Sequence, residues 1–164
     1  MVVNLYIYRT VSKYMENFEK EIKEHYSRDT DSKPCYITDM DIRWEEMDAN
    51  GHVNQASYLN YLSEARLKAI GLEEVAGLRK ENIGPVIYKI EIEFINEMLH
   101  PDTAHIVTWV DESISKTRVS VRQNLYSKTT GKLAVRATFY SIFMDTAKRK
   151  PVKIPDLIRV KFGL

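Results

Sequence analysis

Cysteine is nearly absent from the 164-residue sequence, and no long hydrophobic run is present. Because Cys35 is the single cysteine, neither an intrachain disulfide nor a cysteine-rich zinc site can form. No apolar stretch approaches the ~20 residues that a membrane-spanning helix requires. The first residues include Asn4 and Arg9 and contain no small-residue cleavage site, so the sequence predicts no signal peptide. These absences predict a cytoplasmic protein without a membrane span.

The sequence also lacks a strong net charge of either sign. Its 24 Lys and Arg residues against 23 Asp and Glu give a formal net charge of +1, which argues against a general nucleic-acid-binding protein. The charge is uneven, because residues 148–164 hold six basic residues and one acidic residue and therefore carry +5. This basic C-terminal tail either contacts phosphates or an acidic carrier protein, or is simply a solvated terminus.

The hydrophobic pattern divides the chain into three parts. Residues 1–35 contain an apolar stripe at helical spacing followed by a polar linker, which predicts an N-terminal amphipathic helix outside the main domain. The main domain comprises residues 36–147, and the basic tail comprises residues 148–164. The N-terminal stripe consists of Tyr8, Val11, Met15, Phe18 and Ile22.

The main domain combines strand and helix patterns. Residues 36–45 alternate in a strand pattern with Met40, Ile42 and Trp44 in one row, whereas residues 55–70 have apolar positions every three or four residues. A short second helix is predicted up to Lys80, and from residue 86 onward four segments alternate again with hairpin-like connections. This order predicts an α+β fold in which one long central helix is wrapped by a curved antiparallel sheet of about five strands.

Polar side chains are concentrated between the first strand and the long helix, in residues 48–54. Asp, Asn and Gly are turn formers, Gly51 allows a positive φ, and Asn54 or Ser57 can cap a helix, so turn chemistry alone explains the segment. The segment is also suited to catalysis. Asp and His transfer protons, and the unpaired amides at a helix N-terminus can stabilise an oxyanion. The residues by themselves leave both interpretations open.

A resemblance to a known family lies in the string WEEMDANGHVNQASYL of residues 44–59, continued by SEAR at residues 63–66. This string resembles the signature of hotdog-fold acyl thioesterases, the superfamily of 4-hydroxybenzoyl-CoA thioesterase and acyl-ACP thioesterases. The order of strands and helix over residues 36–147 is similar to that fold throughout. The resemblance implies an enzyme that hydrolyses acyl-CoA or acyl-ACP thioesters to a free acid and a thiol.

The resemblance also implies catalytic residues. The aspartate that opens the loop is the catalytic carboxylate of bacterial relatives, and it corresponds to Asp48; acyl-ACP thioesterases also count the matching Asn50 and His52. A further glutamate in those enzymes lies in a Leu-Glu-Tyr-x-x-Glu-Cys context. The similar string IEFINEM of residues 92–98 puts Glu97 at that position and a methionine in place of the cysteine. Asp48 would act either as a general base or as a nucleophile.

Substrate-binding residues are predicted at the start of the long helix and along it. Main-chain amides near residues 55–58 are expected to form the oxyanion hole, with Asn54, Ser57 and Tyr58 contacting the substrate. Glu64 lies in mid-helix and is expected to line the substrate at a subunit interface rather than to catalyse.

The resemblance further implies a site between subunits, and therefore a homodimer or a tetramer of dimers. Neither a metal site nor a bound cofactor is predicted, because the His and carboxylate residues lack metal-ligand spacing. The pantetheine group of CoA or ACP would belong to the substrate.

Three other functions fit the same pattern. A hotdog hydratase or dehydratase would share the fold, but the sequence has no His-Phe-Pro type motif. A non-catalytic acyl-CoA-binding or regulatory module would keep the fold without the carboxylate, and the intact Asp48 argues against it. A pure interaction domain would require the whole loop to be turn chemistry. Fold alone does not decide among them.

Overall fold

One long helix and an antiparallel sheet make up most of the protein, whose computed structural model describes residues 34–111 and 114–164. The N-terminal amphipathic helix predicted for residues 1–35 lies outside these residues, apart from the last two positions. In chain order the elements are β1 (Tyr36–Asp41), α1 (Gln55–Ile70), α2 (Leu72–Lys80), β2 (Ile83–Phe94), β3 (Thr103–Val110), β4 (Arg118–Ser127), β5 (Leu133–Asp145), β6 (Lys150–Pro151) and α3 (Asp156–Phe162).

The sheet has the strand order β1-β3-β4-β5-β2, and β6 adds a short pairing to β5. All of these pairings are antiparallel. Because β1 and β2 lie at opposite edges, the chain between them must cross the whole sheet, and α1 occupies this crossover. The predicted α+β architecture, a long helix wrapped by a curved antiparallel sheet of five principal strands, is confirmed.

Helix α1 begins and ends where its sequence allows. The Asn54 side chain accepts a hydrogen bond from the Ala56 amide at 2.9 Å, which satisfies one of the unpaired amides of the first turn. The helix ends at Gly71, whose φ of 97° is a conformation that favours glycine. The buried positions recur at helical spacing and pack against the sheet: Tyr58, Tyr61, Leu62, Ala65 and Ala69.

The buried side chains form two main clusters along the length of α1. The first surrounds Leu62 and Phe139, which are 0% and 1% exposed, and lies near the start of the helix. The second contains Phe143, Ile154 and Ile158 and lies near its end. The predicted basic tail therefore contributes to the core, since Ile154, which lies between β6 and α3, and Ile158 of α3 are buried in this cluster.

The first strand is shorter than its sequence pattern predicted. The chain leaves β1 at Asp41 and forms a 3-10 turn at Trp44–Glu46, so the Trp44 side chain is 76% exposed instead of continuing the inward row. The Glu46 carboxylate accepts the Arg43 amide at 2.9 Å and also contacts the Tyr61 hydroxyl, and these bonds hold the turn. The prediction that the strand continues through Trp44 was wrong.

Strand β2 begins earlier than predicted and contains a proline. The Asn82–Pro85 region was expected to separate helix from strand, yet β2 starts at Ile83 and pairs Pro85 with Phe143. Proline is compatible with this strand because β2 is at a sheet edge, where a missing N–H need not break the ladder. No helix in the described part of the chain is long and apolar enough to cross a membrane.

Truncation of Leu62 tests the contribution of the α1 face to stability. Leu62 is 0% exposed, so Leu62→Ala should lower the free energy of unfolding by about 2–5 kcal/mol through lost burial and a residual cavity. Leu72→Ala is the matched control, because Leu72 is 74% exposed and its truncation should change stability by no more than about 0.5 kcal/mol. Urea denaturation followed by circular dichroism measures both. Equal effects would contradict the assignment of Leu62 to the core.

Candidate active site

The segment between β1 and α1 is a tight loop closed by its own main chain. The Asp48 carbonyl accepts the Gly51 amide at 3.0 Å, and the Asp48 amide donates to the His52 carbonyl at 2.7 Å. Gly51 has a φ of 78°, which a residue with a side chain adopts only under strain. The turn chemistry expected from the sequence is therefore present, and it fixes the direction of the Asp48 side chain.

The Asp48 carboxylate is held by two main-chain amides. Its Oδ1 atom accepts the Asn50 amide at 2.8 Å and the His52 amide at 3.2 Å. These hydrogen bonds, led by that from His52, stabilise the charged form and lower the pKa of Asp48 below the ordinary aspartate value of 3.8. At neutral pH the loop thus presents an oriented, ionised carboxylate.

The segment that follows β2 meets this loop. The Glu97 Oε2 atom lies 3.1 Å from the Nε2 atom of His52, and the two side chains are 63% and 39% exposed. Next to them, the Val53 amide donates to the Met98 carbonyl at 2.9 Å. The structure therefore brings Glu97 to the loop, although about 45 positions separate them in the sequence.

The first turn of α1 leaves one amide for a ligand. The amides of Ala56, Ser57 and Tyr58 are all bonded to Asn54, the first to its side chain and the other two to its carbonyl. No acceptor for the Gln55 amide is present among residues 34–111 and 114–164. The expected set of oxyanion donors thus narrows to Gln55, and the Asn54 side chain is engaged in capping the helix.

Tyr58 links the helix to the end of β2. Its hydroxyl accepts the Met98 amide at 3.1 Å, its residue is 4% exposed, and burial raises the pKa of the phenol. The ring also lies 5.8 Å from that of Phe94, centroid to centroid, in a tilted arrangement. Tyr58 therefore supports the wall of the site as well as lining it.

A pocket of about 260 Å³ joins these groups. Its polar wall contains Asp48, His52, Gln55, Tyr58 and Glu97, and its apolar wall is formed by Val53, Phe94 and Ile95, with Asn96 beside them. The sequence analysis did not single out Phe94 and Ile95. The sequence signal that could have identified them is a pair of consecutive apolar residues at the end of an alternating strand. In the structure these two residues are 51% and 44% exposed.

Some predicted substrate-binding residues lie outside this pocket. Glu64 forms an ion pair with Lys68 at 2.7 Å on an exposed face of α1, and the Ser57 residue is 8% exposed within the helix. Asn50 reaches the site only through its hydrogen bond to Asp48. Within the described ranges, no three His, Cys, Asp or Glu side chains are grouped as a metal ion would require. The arrangement is that of an anion, an imidazole and a free amide beside an apolar wall.

Comparisons with known proteins agree with the fold. No curated protein sequence matches the chain. Among solved structures, the PA2801 protein of Pseudomonas aeruginosa is 22% identical, with a TM-score of 0.69 over 78% of this chain and 98% of the other. DHNA-CoA thioesterase from Staphylococcus aureus is also 22% identical, with a TM-score of 0.64 over 71% and 78% of the two chains.

A third structure belongs to a longer protein. The 12:0-ACP thioesterase from Umbellularia californica is 20% identical with a TM-score of 0.66, and the match covers 78% of this chain and 49% of that one. These likenesses establish the hotdog fold. The family model of the thioesterase-like superfamily matches residues 42–162, which include the Asp48 loop, α1 and the whole of the sheet except β1. The chain is therefore a member of the thioesterase-like superfamily.

Proposed function

We propose that the protein is an acyl thioesterase that hydrolyses acyl-CoA or acyl-ACP to a free acid and a thiol. The observation that carries the proposal is the Asp48 carboxylate, which two amides orient toward a pocket that also contains the first free amide of α1. Thioester hydrolysis requires a base for water and a donor for the carbonyl oxygen, and both are present. The family membership of the chain supports the same reaction class.

Asp48 acts as the general base in this proposal. Its Oδ2 atom, which the two amides do not use, accepts a proton from a water molecule as the water oxygen attacks the thioester carbon. The Gln55 amide donates to the oxyanion that forms. Collapse of the tetrahedral intermediate breaks the carbon–sulfur bond, and the proton passes from Asp48 to the leaving thiolate. The products are a carboxylic acid and a thiol.

His52 and Glu97 orient the water and the loop. The 3.1 Å contact between them holds the imidazole beside the pocket that Asp48 lines. Asn50 supports Asp48 through its main-chain amide, and a hydrogen bond from the Asn50 side chain also lowers the pKa of Asp48. The apolar wall at Phe94 and Ile95 receives the first part of the acyl chain.

The exposed strand β2 supports a homodimer. It is a sheet edge of 12 residues, and five of its large apolar side chains are between 41% and 51% exposed: Val86, Ile87, Tyr88, Ile90 and Phe94. A long, exposed apolar edge strand favours pairing with another strand. Antiparallel pairing of β2 with β2 of a second copy would cover this edge in both copies at once. Since Phe94 also lines the catalytic pocket, the second copy would complete that pocket.

Replacement of Asp48 by asparagine tests the catalytic role. Asp48→Asn keeps the size of the side chain but removes the base, so kcat/KM should fall by about 10²–10⁴-fold while the fold and the oligomeric state stay unchanged. Asp156→Asn, an exposed change of the same kind on α3, is the matched control and should have the wild-type rate. The assay measures thiol release from acyl-CoA and acyl-ACP substrates of graded chain length.

The outcomes of this experiment separate the alternatives. Wild-type turnover by Asp48→Asn would contradict the mechanism, and no hydrolysis of any substrate by the wild-type protein would favour a binding module. A single turnover in ¹⁸O-water distinguishes the two roles of the carboxylate. General-base action labels only the released acid, whereas label in Asp48 would reveal an anhydride intermediate and contradict the base. His52→Ala should lower turnover less than Asp48→Asn.

The pH profile follows from the lowered pKa of Asp48. Above 3.8 the carboxylate is already ionised in the folded protein, so activity is lost only as the pH falls through the lowered pKa. The value of kcat/KM, which reports the free enzyme, should therefore have no acidic limb between about pH 5 and 8. Circular dichroism at each pH controls for unfolding. A decline toward acid within that range, with the fold intact, would show that the essential base is not Asp48.

A charge on β2 tests the dimer. Ile90→Lys places an ammonium group on the exposed edge strand and should convert the dimer to a monomer, because an unpaired charge opposes strand pairing. Val160→Lys introduces the same charge at a residue of α3 that is 85% exposed and should leave the dimer intact. Sedimentation velocity measures both. A dimer that persists in Ile90→Lys, or a wild-type monomer, would contradict an interface at β2.

A further inference from the structure

A second cavity lies between the C-terminal half of α1, the sheet and α3. Its volume is about 220 Å³. Most of its wall is hydrocarbon from these elements, represented by Ile70, Val121, Phe143, Ile158 and Phe162. At its rim Leu67 of α1 is 44% exposed, so a small molecule can enter from solvent on this side. The rim residue Ile87 belongs to β2 and to the proposed dimer interface. The proposed hydrolysis reaction assigns no role to this cavity.

One cation lines this apolar wall. The Arg66 Nη1 atom donates to the Gln123 Oε1 atom at 2.7 Å, and the guanidinium carbon lies 3.5 Å from the centroid of the Phe139 ring. Gln123 is 0% exposed and donates in turn to the Thr108 hydroxyl at 3.0 Å. The guanidinium is therefore fixed in place by a buried polar chain and an aromatic face.

No compensating anion for Arg66 is found in the part of the chain that the structure describes. Within residues 34–111 and 114–164, no carboxylate lies within 4.0 Å of its guanidinium. Burial alone lowers the pKa of Arg66 to about 10, which reflects the cost of keeping this cation out of water. A guanidinium has five N–H donors, and the neutral Gln123 oxygen satisfies one of them. The arrangement is complementary to an anion that brings its own apolar group.

A carboxylate fits this arrangement better than a phosphate. Arginine binds a carboxylate through two parallel N–H donors in one plane, and Phe139 already fixes that plane. A phosphate ester would carry additional negative charge into a wall that is mostly hydrocarbon and offers only neutral hydroxyl groups besides Arg66, so no second cation would pair with it. The ligand is thus a monoanion with a hydrocarbon body.

The length of the ligand follows from the volume of the cavity. Benzene, with six heavy atoms, occupies an engineered protein cavity of about 150 Å³, so a volume of 220 Å³ accommodates about nine heavy atoms. Octanoate, with ten heavy atoms of which its two oxygens contact Arg66, is close to this size.

The cavity is distinct from the Asp48 pocket. Arg66 lies eight positions beyond Tyr58 on α1, which corresponds to about 12 Å along the helix axis. The side chain of Phe139 stacks against Arg66 and belongs to the buried cluster that also contains Tyr58 and Leu62. Packed side chains therefore separate the two sites within one subunit.

We infer that this cavity is a binding site for a medium-chain carboxylic acid, whose carboxylate pairs with Arg66 and whose hydrocarbon chain fills the space between α1, the sheet and α3. A free carboxylic acid is also the class of product that thioester hydrolysis releases. The inference does not depend on that reaction, because binding requires neither Asp48 nor a thioester.

Equilibrium binding of octanoate to the full chain tests the inference, with isothermal titration calorimetry as the measurement. Octanoate should bind with one site per chain, and 1-octanol should bind at least about tenfold more weakly, because it offers the same hydrocarbon without the charge. Arg66→Gln should weaken octanoate binding by about tenfold or more and leave octanol binding unchanged. Arg79→Gln, which removes an exposed cation of α2, is the matched control and should bind like the wild type.

Several outcomes would overturn the inference: no octanoate binding, equal binding of octanoate and octanol, or unchanged binding by a folded Arg66→Gln variant. If that variant does not fold, NMR of the wild-type protein decides. Octanoate should shift the side-chain Nε–Hε signal of Arg66 and give nuclear Overhauser contacts to Phe139 or Val121. Contacts to Phe94 or Tyr58 instead would place octanoate in the Asp48 pocket and contradict a separate site. Because no thioester is present, a failure of hydrolysis does not alter this result.

Discussion

The hydrogen bond from the Val53 amide to the Met98 carbonyl joins the two chain segments from which the candidate active site is built. One segment precedes α1 and the other follows β2, and nothing in the local sequence brings them together. The Tyr58 hydroxyl, which accepts the Met98 amide, adds a second bond at the same place. Both bonds require the first turn of α1 to lie beside the segment that follows β2. The packing of the buried face of α1 against the sheet holds it there. The position of Glu97 beside His52 is a consequence of this geometry.

The sequence predicted most of the architecture because the hydrophobic periodicity of each element reports which side is buried. The step of three and four along α1 marks its buried face, and Tyr58, Leu62 and Ala65 are on it. The error at Trp44 has a local cause. A carboxylate three residues after Arg43 and a tyrosine on α1 hold the chain in a turn, and strand alternation carries no information about either contact. The start of β2 was also predicted too late. Pro85 indicates a break in a strand, but an edge strand tolerates proline because its outward N–H has no partner strand.

The candidate site was predictable only in part. The loop motif and its family resemblance identified Asp48 and His52, and a shorter match identified Glu97, which the structure brings to the same pocket. Local spacing could not reveal how the amides of α1 are used. Asn54 bonds to three of them, so the side chain expected to contact substrate caps the helix and Gln55 retains the free amide. Glu64 has the spacing of a salt-bridge partner for Lys68, and this local pairing dominates at an exposed position. The roles of these residues in catalysis remain predictions.

Charges of opposite sign lie near the start of α1 and further along it, and they are stabilised in different ways. Near its start, Asp48 is an anion in contact with solvent whose charge is stabilised by main-chain amides, so it needs no cationic partner and remains available for chemistry. Toward the other end, Arg66 is a partly buried cation, and its described partners are a neutral amide and an aromatic ring. A buried charge left with neutral partners is costly, and the cost falls when an anion of matching geometry arrives. The apolar cavity next to Arg66 determines what that anion must carry. The helix that follows the Asp48 loop therefore also carries, two turns further on, the cation on which the proposed recognition of an acid depends.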